Sequence, residues 1–364
     1  MSALRHIDHI AGSLYINAAS LFHRKRDLPH TIRSIGMLKT RGIGDLVVAS
    51  CLIREIKSAY KDVLITMYAD KYTHAACDIL HGIDHSVLVD SMHPLQSIRT
   101  IRESTYDIFI DLGAWPRMDA IMSCSARSQC TVGFSTAGQH RHKLFDIAVP
   151  HLSSQHEVCN YMDIARAIGI ANPTPSAWIL GLSELRPLSD YDEFRHNNKY
   201  IIMHSKAGGS NPAPREWSNE KWVEVAGWCA DRGYSIVLSG SSHDRKSCRE
   251  TETRMDRAGV QVINISGKYS LLDSLPILYN SAAVLSVNTG LMHIAAACNV
   301  PTIALCGPTN PLRWGPIGEK AISITPEKGE CCYLDLGFEY KSGDSDCMDN
   351  ISVKSVIDAL KSVV

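Results

Sequence analysis

An alternation made twice over constrains this chain more than any other feature. Short apolar runs, glycine-bearing turns and amphipathic stretches follow one another in order. In the first half the apolar runs fall at 35–40, 63–69, 86–90, 106–111 and 130–134. A second series comprises KYIIMHS (199–205), YSIVLSG (234–240), VQVINISG (260–267), AAVLSVN (282–288), PTIALCG (301–307) and AISITP (321–326). Such runs suit buried strands, and the helical stretches between them imply parallel order with both sheet faces covered. The expected fold is α/β, with two Rossmann-like domains facing each other across an interdomain cleft. A length of 364 residues accommodates two such cores. The polar segment SELRPLSDYDEFRHNN, 183–198, marks the boundary. The expected divisions are 1–34 (amphipathic helix and linker), 35–185, 186–350, and a last helix at 351–364 packing across the domains.

Composition narrows the partners. Apolar residues make up 45% and charged residues 21%, as in ordinary globular proteins, and the net charge of -1 gives no global field for nucleic acid. No run of about 20 apolar residues predicts a membrane span. Arg5, His6, Asp8 and His9 interrupt any secretory leader. The 12 cysteines therefore read as mostly reduced, buried and cytosolic. Cys331, Cys332 and Cys347 lack the fourth ligand and the CxxC pairing of a tetrahedral site, so no metal is expected.

The first 26 residues stand apart. Leu4, Ile7, Ala11, Leu14, Ala18, Leu21 and Phe22 recur at helical spacing and lead into His23, Arg24, Lys25 and Arg26. Such a helix either packs on the body of the protein or lies on an anionic membrane surface. Asp27-Leu28-Pro29 ends it.

In doubly wound sheets, ligands bind beyond the carboxyl ends of the strands. Four turns carry suitable residues. Asn288-Thr289-Gly290 precedes a helix bearing Leu291 and His293, and its amide hydrogens suit an anion; the plainer reading of Thr289 is an N-cap. GPTNP adds Thr309. HSKAGGSNPAPREW (204–217) offers Gly208, Gly209 and Ser210 with Lys206 and Arg215, and could equally be a solvated loop. SGSSHDR (239–245) supplies His243 and Asp244, for a ligand or for a helix cap. In the first half, Asp45 sits in the turn of MLKTRGIGDLVVASCLIREIKSAY, before a helix expected at about 45–60. Cations near that half include Arg33, Lys39, Arg41, Arg141 and Lys143, with His140 and His142, or these are a solvated charge run. His156 and Glu157 head a helix and read as its cap.

At these residues the chain resembles a known family. GIGDLVVASCLIREIKSAY, REWSNEKWVEVAGWCADRGYSIVLSGS, NTGLMHIAAACNVPTIALCGPTNPLRWGP and DCMDNISVKSVIDAL look like glycosyltransferase family nine, the lipopolysaccharide heptosyltransferases. SQHEVCNYMDIARAIGI, 154–170, resembles its mid-chain His-Glu helix. The likeness runs over roughly 35–364. It implies a GT-B fold, a nucleotide-sugar donor and inversion at the anomeric carbon. The acid it implies as catalytic base falls on Asp45, the basic residue before the loop tryptophan on Arg215, and the strand–Asp-Thr-Gly–helix motif on 288–290 with His293. Asn288 departs from that pattern, keeping hydrogen-bonding capacity without the charge.

Together these readings give specific expectations. A phosphate in the first turn would be repelled by Asp45, so the first domain takes the acceptor and the second the donor. Asp45 accepts the acceptor proton. Lys206, Gly208, Gly209, Ser210, Arg215, Asp244, Asn288, Thr289, Gly290, Leu291, His293 and Thr309 are candidate donor ligands, with His293 also the second choice of base. Gly44, Arg41, Arg141 and Lys143 are acceptor candidates. The donor is ADP-heptose-like and the acceptor a glycolipid or surface glycan. No cofactor or metal is called for, since fixed cations would take the metal's place. The expected location is cytoplasmic, with peripheral membrane contact through residues 1–26 on the second reading of that helix. The competing functions are a sugar-nucleotide epimerase and a non-catalytic nucleotide-sugar-binding homologue.

Overall fold

A computed structural model describes residues 8–195, 199–209, 212–327, 331, 334–335, 339–340 and 347–364. The chain divides into two compact lobes, Met1–Trp178 and Ile179–Val364. The division falls a few residues before the polar segment that marks it in the sequence.

The first lobe holds six parallel strands in the order β3-β2-β1-β4-β5-β6. They are β1 (Ser34–Lys39), β2 (Leu64–Ala69), β3 (His85–Leu88), β4 (Thr105–Asp111), β5 (Arg127–Ser135) and β6 (Ile147–Pro150). Ile35, Met37 and Leu38 are wholly buried along β1, which explains its apolar run. Gly36 lies where a Cβ would strike the Phe109 ring, so β1 and β4 pack as closely as they do only with glycine there. The helix after the first turn is Ile43–Ala59, and its buried stripe includes Leu46, Ala49, Leu52, Ile53 and Ile56. β6 was not among the expected strands. Its four residues, IAVP, are too short to show a pattern, and it takes the sheet's outer position.

The second lobe repeats the plan with β7 (Tyr200–His204), β8 (Ser235–Leu238), β9 (Val262–Asn264), β10 (Ala283–Val287), β11 (Thr302–Leu305) and β12 (Ala321–Ile324). Their order is β12-β11-β10-β7-β8-β9, all parallel. Counted from each lobe's own first strand, this is the same winding. In both, the order reverses beside the lobe's first strand, at β1/β4 and at β7/β10. Crevices for ligands open at such switch points. The C-terminal helix Val353–Lys361, expected to reach across the lobes, buries Val356 and Leu360 in the second lobe's core with Trp217 and Trp222.

The cysteines show one departure from expectation. Cys331 and Cys347 are joined as a disulfide rather than reduced, while the other described cysteines are free. Among the described residues no cluster of His, Cys, Asp or Glu is arranged to hold a metal ion. No described helix is long and apolar enough to cross a membrane.

Candidate active site

The first lobe places its candidate residues on the turn between β1 and the helix Ile43–Ala59. Gly42 is left-handed there, at φ 91°, and a Cβ on it would collide with the Asp45 carboxylate. Glycine therefore lets the acid lie against the turn. Asp45, with its side chain 30% exposed, forms an ion pair at 3.2 Å with Lys39, the last residue of β1. The Lys39 amine is nearly buried, at 10% exposure. Burial works against its charge, but Asp45, Tyr161 and Glu157 together outweigh it, Asp45 foremost, and the ammonium is held well above the usual lysine range. Lys39 thus stays charged beneath the acid. In the sequence it stood only as one cation near the first strand; the signal was a lysine ending an apolar run just before a glycine turn.

A rigid floor lies under this turn. The Thr40 hydroxyl donates to Asp119 at 2.7 Å. The fully buried Arg141 guanidinium pairs with Asp111 at the end of β4 and donates to the Gly113 carbonyl. The Gly113 amide in turn donates to Asp111 at 2.8 Å. Burial, and then the neighbouring Asp111, push Asp119 up to about 7. Burial likewise raises Asp111, against the pull of Arg141. His151 lies 3.0 Å from the buried Glu157 carboxylate, and His156 caps the following helix by accepting from the Val158 amide.

The acceptor candidates separate. Arg41 is exposed in the turn and Gly44 is in the first turn of the helix beside Asp45. Arg141 is spent inside the lobe on Asp111, with no surface left to meet a ligand. Lys143 donates to Asn17 of the N-terminal segment. Arg33 precedes β1, at the end of the strand away from the turn.

The second lobe presents its residues at the β7/β10 switch point. After β7, Lys206 pairs with Glu216 at 3.3 Å, and the other Glu216 oxygen accepts from the Ala207 amide at 3.1 Å. Arg215 donates to the Gly208 carbonyl. Gly208 is open and Gly209 is left-handed at φ 83°, so the loop's backbone is reachable from solvent. Ser210 lies outside the described residues. Glu216, which clamps this loop, was not singled out in the sequence; it had no signal beyond its place beside Arg215.

After β10, Thr289 heads the helix Gly290–Ala297 but makes no capping bond to it. Its hydroxyl is 3.2 Å from that of Ser286. By contrast, Ser270, Asn310 and Ser352 all cap their helices through the side chain. The ordinary N-cap reading of Thr289 therefore fails, and the first-turn amides keep the character of an anion site. Leu291 is half-buried, and His293 is buried in the first turn. Asn288 donates from Nδ2 to the Trp314 carbonyl at 3.0 Å. A carboxylate there would set acceptor against acceptor, which accounts for the amide in this chain. Thr309 is buried beyond β11. Asp244 is occupied as a cap, accepting from the Ser241 amide and hydroxyl at 2.8 and 2.6 Å.

Comparison with known proteins agrees with this construction. The family model Glycosyltransferase family 9 (heptosyltransferase) matches residues 95–333. Lipopolysaccharide heptosyltransferase 2 of Salmonella typhimurium is 22% identical over 297 residues, 77% of this chain and 84% of that protein. A higher identity, 35%, extends over only 120 residues of lipooligosaccharide heptosyltransferase 2 of Haemophilus influenzae, 33% of this chain and 34% of that one. A family 9 glycosyl transferase from Veillonella parvula superimposes with a TM-score of 0.73 at 17% identity, covering 93% of this chain and 98% of its own. E. coli heptosyltransferase WaaC with ADP-2-deoxy-2-fluoro heptose gives 0.69 at 18% identity, covering 91% and 100%. The structural likenesses carry the fold, and the family match carries the class. Asp45 lies ahead of the matched residues, whereas the β7 and β10 turns lie within them. With two lobes of one winding and ligand-type turns at both switch points, the chain is a GT-B glycosyltransferase and belongs to family 9, the heptosyltransferases.

Proposed function

We propose that this enzyme moves a heptose, or a closely related sugar, from an ADP-activated donor to a lipopolysaccharide-core or other surface-glycan acceptor, with inversion at the anomeric carbon. The observation that carries the reading is the Asp45–Lys39 pair at the first switch point: an acid partly open to solvent, kept in place by a buried cation. The names of the relatives and the ADP-sugar in the compared E. coli structure support the donor class.

In this scheme the acceptor hydroxyl attacks the anomeric carbon while Asp45 takes its proton. The bond from that carbon to the diphosphate oxygen breaks, and its electron pair leaves with ADP. A carboxylate is a weak base, but attack on a carbon already carrying positive charge needs no stronger one. Lys39 orients Asp45. The amides opening the helix Gly290–Ala297, with Lys206 and Arg215, meet the charge growing on the diphosphate. Lys206 and Arg215 exchange their contacts with Glu216 and the Gly208 carbonyl for phosphate oxygens. Arg41, exposed beside Asp45, is the cation placed to meet a phosphorylated acceptor. Work on a glycolipid locates the enzyme at the cytoplasmic face of a membrane.

The test is Asp45→Asn. Heptosyl transfer from ADP-heptose should fall at least about a hundredfold, while the rise in melting temperature on adding ADP persists. Undiminished transfer in the variant would overturn the assignment.

A further inference from the structure

The N-terminal segment is pinned to the first lobe by a face other than the one its sequence advertises. Asp8 accepts from the Arg117 and Met118 amides at 3.3 and 3.0 Å and pairs with the Arg117 guanidinium. A Cβ on Gly12 would press on the Arg117 side chain, so glycine lets the segment lie close. Ile16 is wholly buried against Ile121 and Leu144. Farther on, Arg26 clasps Asp146 through its amide and guanidinium. The inner contact is thus narrow, made by Gly12 and Ile16 with help from Ala19.

The broad apolar stripe faces outward. Ile10, Ala11, Leu14, Tyr15, Ala18, Leu21 and Phe22 are all exposed, with Leu14 at 69%, Leu21 at 81% and Phe22 at 87%. A helix that merely packs on its own lobe would have turned these side chains inward. Cations border the stripe. Arg24 and Lys25 follow Phe22 and are exposed. Lys143 reaches Asn17 on the same helix. His142 is lowered by partial burial and then by the charges of His140, Lys143 and Lys25, which places those groups in one cluster. Asp8 is paired with Arg117, and the segment's other acid, Asp27, lies beyond the cations.

We propose that this outer face of residues 8–25 is a docking surface for an anionic lipid bilayer, with the apolar stripe entering the headgroup layer and Arg24, Lys25 and Lys143 meeting lipid phosphates. Charge selects this occupant. Two copies joined about a twofold axis would bring the same cationic border against itself, whereas an anionic bilayer complements it. The surface does not depend on the Asp45 assignment, and its test is read without turnover.

The experiment is co-sedimentation of the full chain with phosphatidylcholine vesicles, alone or mixed with phosphatidylglycerol. The wild type should pellet with the mixed vesicles, less so as salt rises, and little with phosphatidylcholine alone. The triple variant Leu14→Ser, Leu21→Ser, Phe22→Ser should lose about tenfold or more of its partitioning. Arg24→Glu with Lys25→Glu should abolish the preference for phosphatidylglycerol. All these side chains are exposed, so melting temperatures should match the wild type. Failure of the wild type to pellet, or equal pelleting of the triple variant, would overturn the proposal. So would a dimer in sedimentation velocity that the triple variant dissolves, because that would make a second copy the occupant.

Discussion

Lys39 and Asp45 are separated by one glycine turn, and each explains the other's tolerance of its place. The ammonium would be costly to bury alone, and the carboxylate gains a charged neighbour at 3.2 Å. Replacing Lys39 by Met should remove a cation that lies 3.2 Å from the acid and make the acid easier to protonate. The acidic limb of the kcat/KM profile should then move to higher pH, and activity at neutral pH should fall roughly tenfold, or about 1.4 kcal/mol of barrier. Lys39→Arg should restore much of the profile; an unmoved limb in Lys39→Met would show that the pair does not tune the base. The place of Asp45 in a turn after a strand was legible in the sequence because turn signals are local: an acid after a strand and two glycines stands out. The role of Arg141 was not legible. Its partner, Asp111, is 30 residues upstream, and only the adjacency of β4 and β5 brings them together. An exposed charge run and a buried guanidinium look alike in one dimension.

The strands were readable because their apolar runs are long relative to the four to seven residues that most of them need. Their ends carried the polar and glycine residues that mark the ligand side. The carboxyl ends of β1, β4 and β5 are cross-linked through Thr40, Asp119, Asp111 and Arg141. This floor is pH-sensitive. Between the ordinary aspartate range near 3.9 and about 7, the folded lobe keeps a proton on Asp119 that the unfolded chain has released. The folded state binds more protons there, so this group's contribution to stability falls as pH rises through that window. Asp119→Asn keeps an acceptor for Thr40 and cannot ionise. Thermal melts should show it gaining on the wild type as pH rises from about 5 to about 8, by about 2–4 °C for each kcal/mol recovered. A difference independent of pH would mean that Asp119 is ionised in the native lobe throughout. β6 and the orientation of the N-terminal helix were the elements the sequence left open. The first is too short to show a period, and the second has apolar residues on more sides than one.

At the scale of the whole chain, the same winding is used twice, and the proposed reading divides the chemistry by lobe. On that reading the donor phosphates go to turns of the second lobe and the acid acts from the first, because Asp45 would repel a phosphate bound beside it. Each lobe has its own core, one packed around Trp222 and the other around Phe109. Residues 179–364 prepared alone should therefore fold and gain melting temperature on addition of ADP, whereas residues 1–178 should not. A shift confined to the first lobe would reverse the roles of the two halves. The twofold plan was visible in the sequence as a repeated rhythm. The dual character of the N-terminal segment was not, because spacing reveals an amphipathic face without saying which way it looks.

Glu216 has a consequence for how the donor is admitted. By holding both the Lys206 amine and the Ala207 amide, it supplies the loop with an internal mimic of a phosphate oxygen. On the proposed reading, donor entry is a substitution of anion for anion. A singly charged intruder gains little by displacing a carboxylate already seated, while a diphosphate brings enough charge to win the exchange.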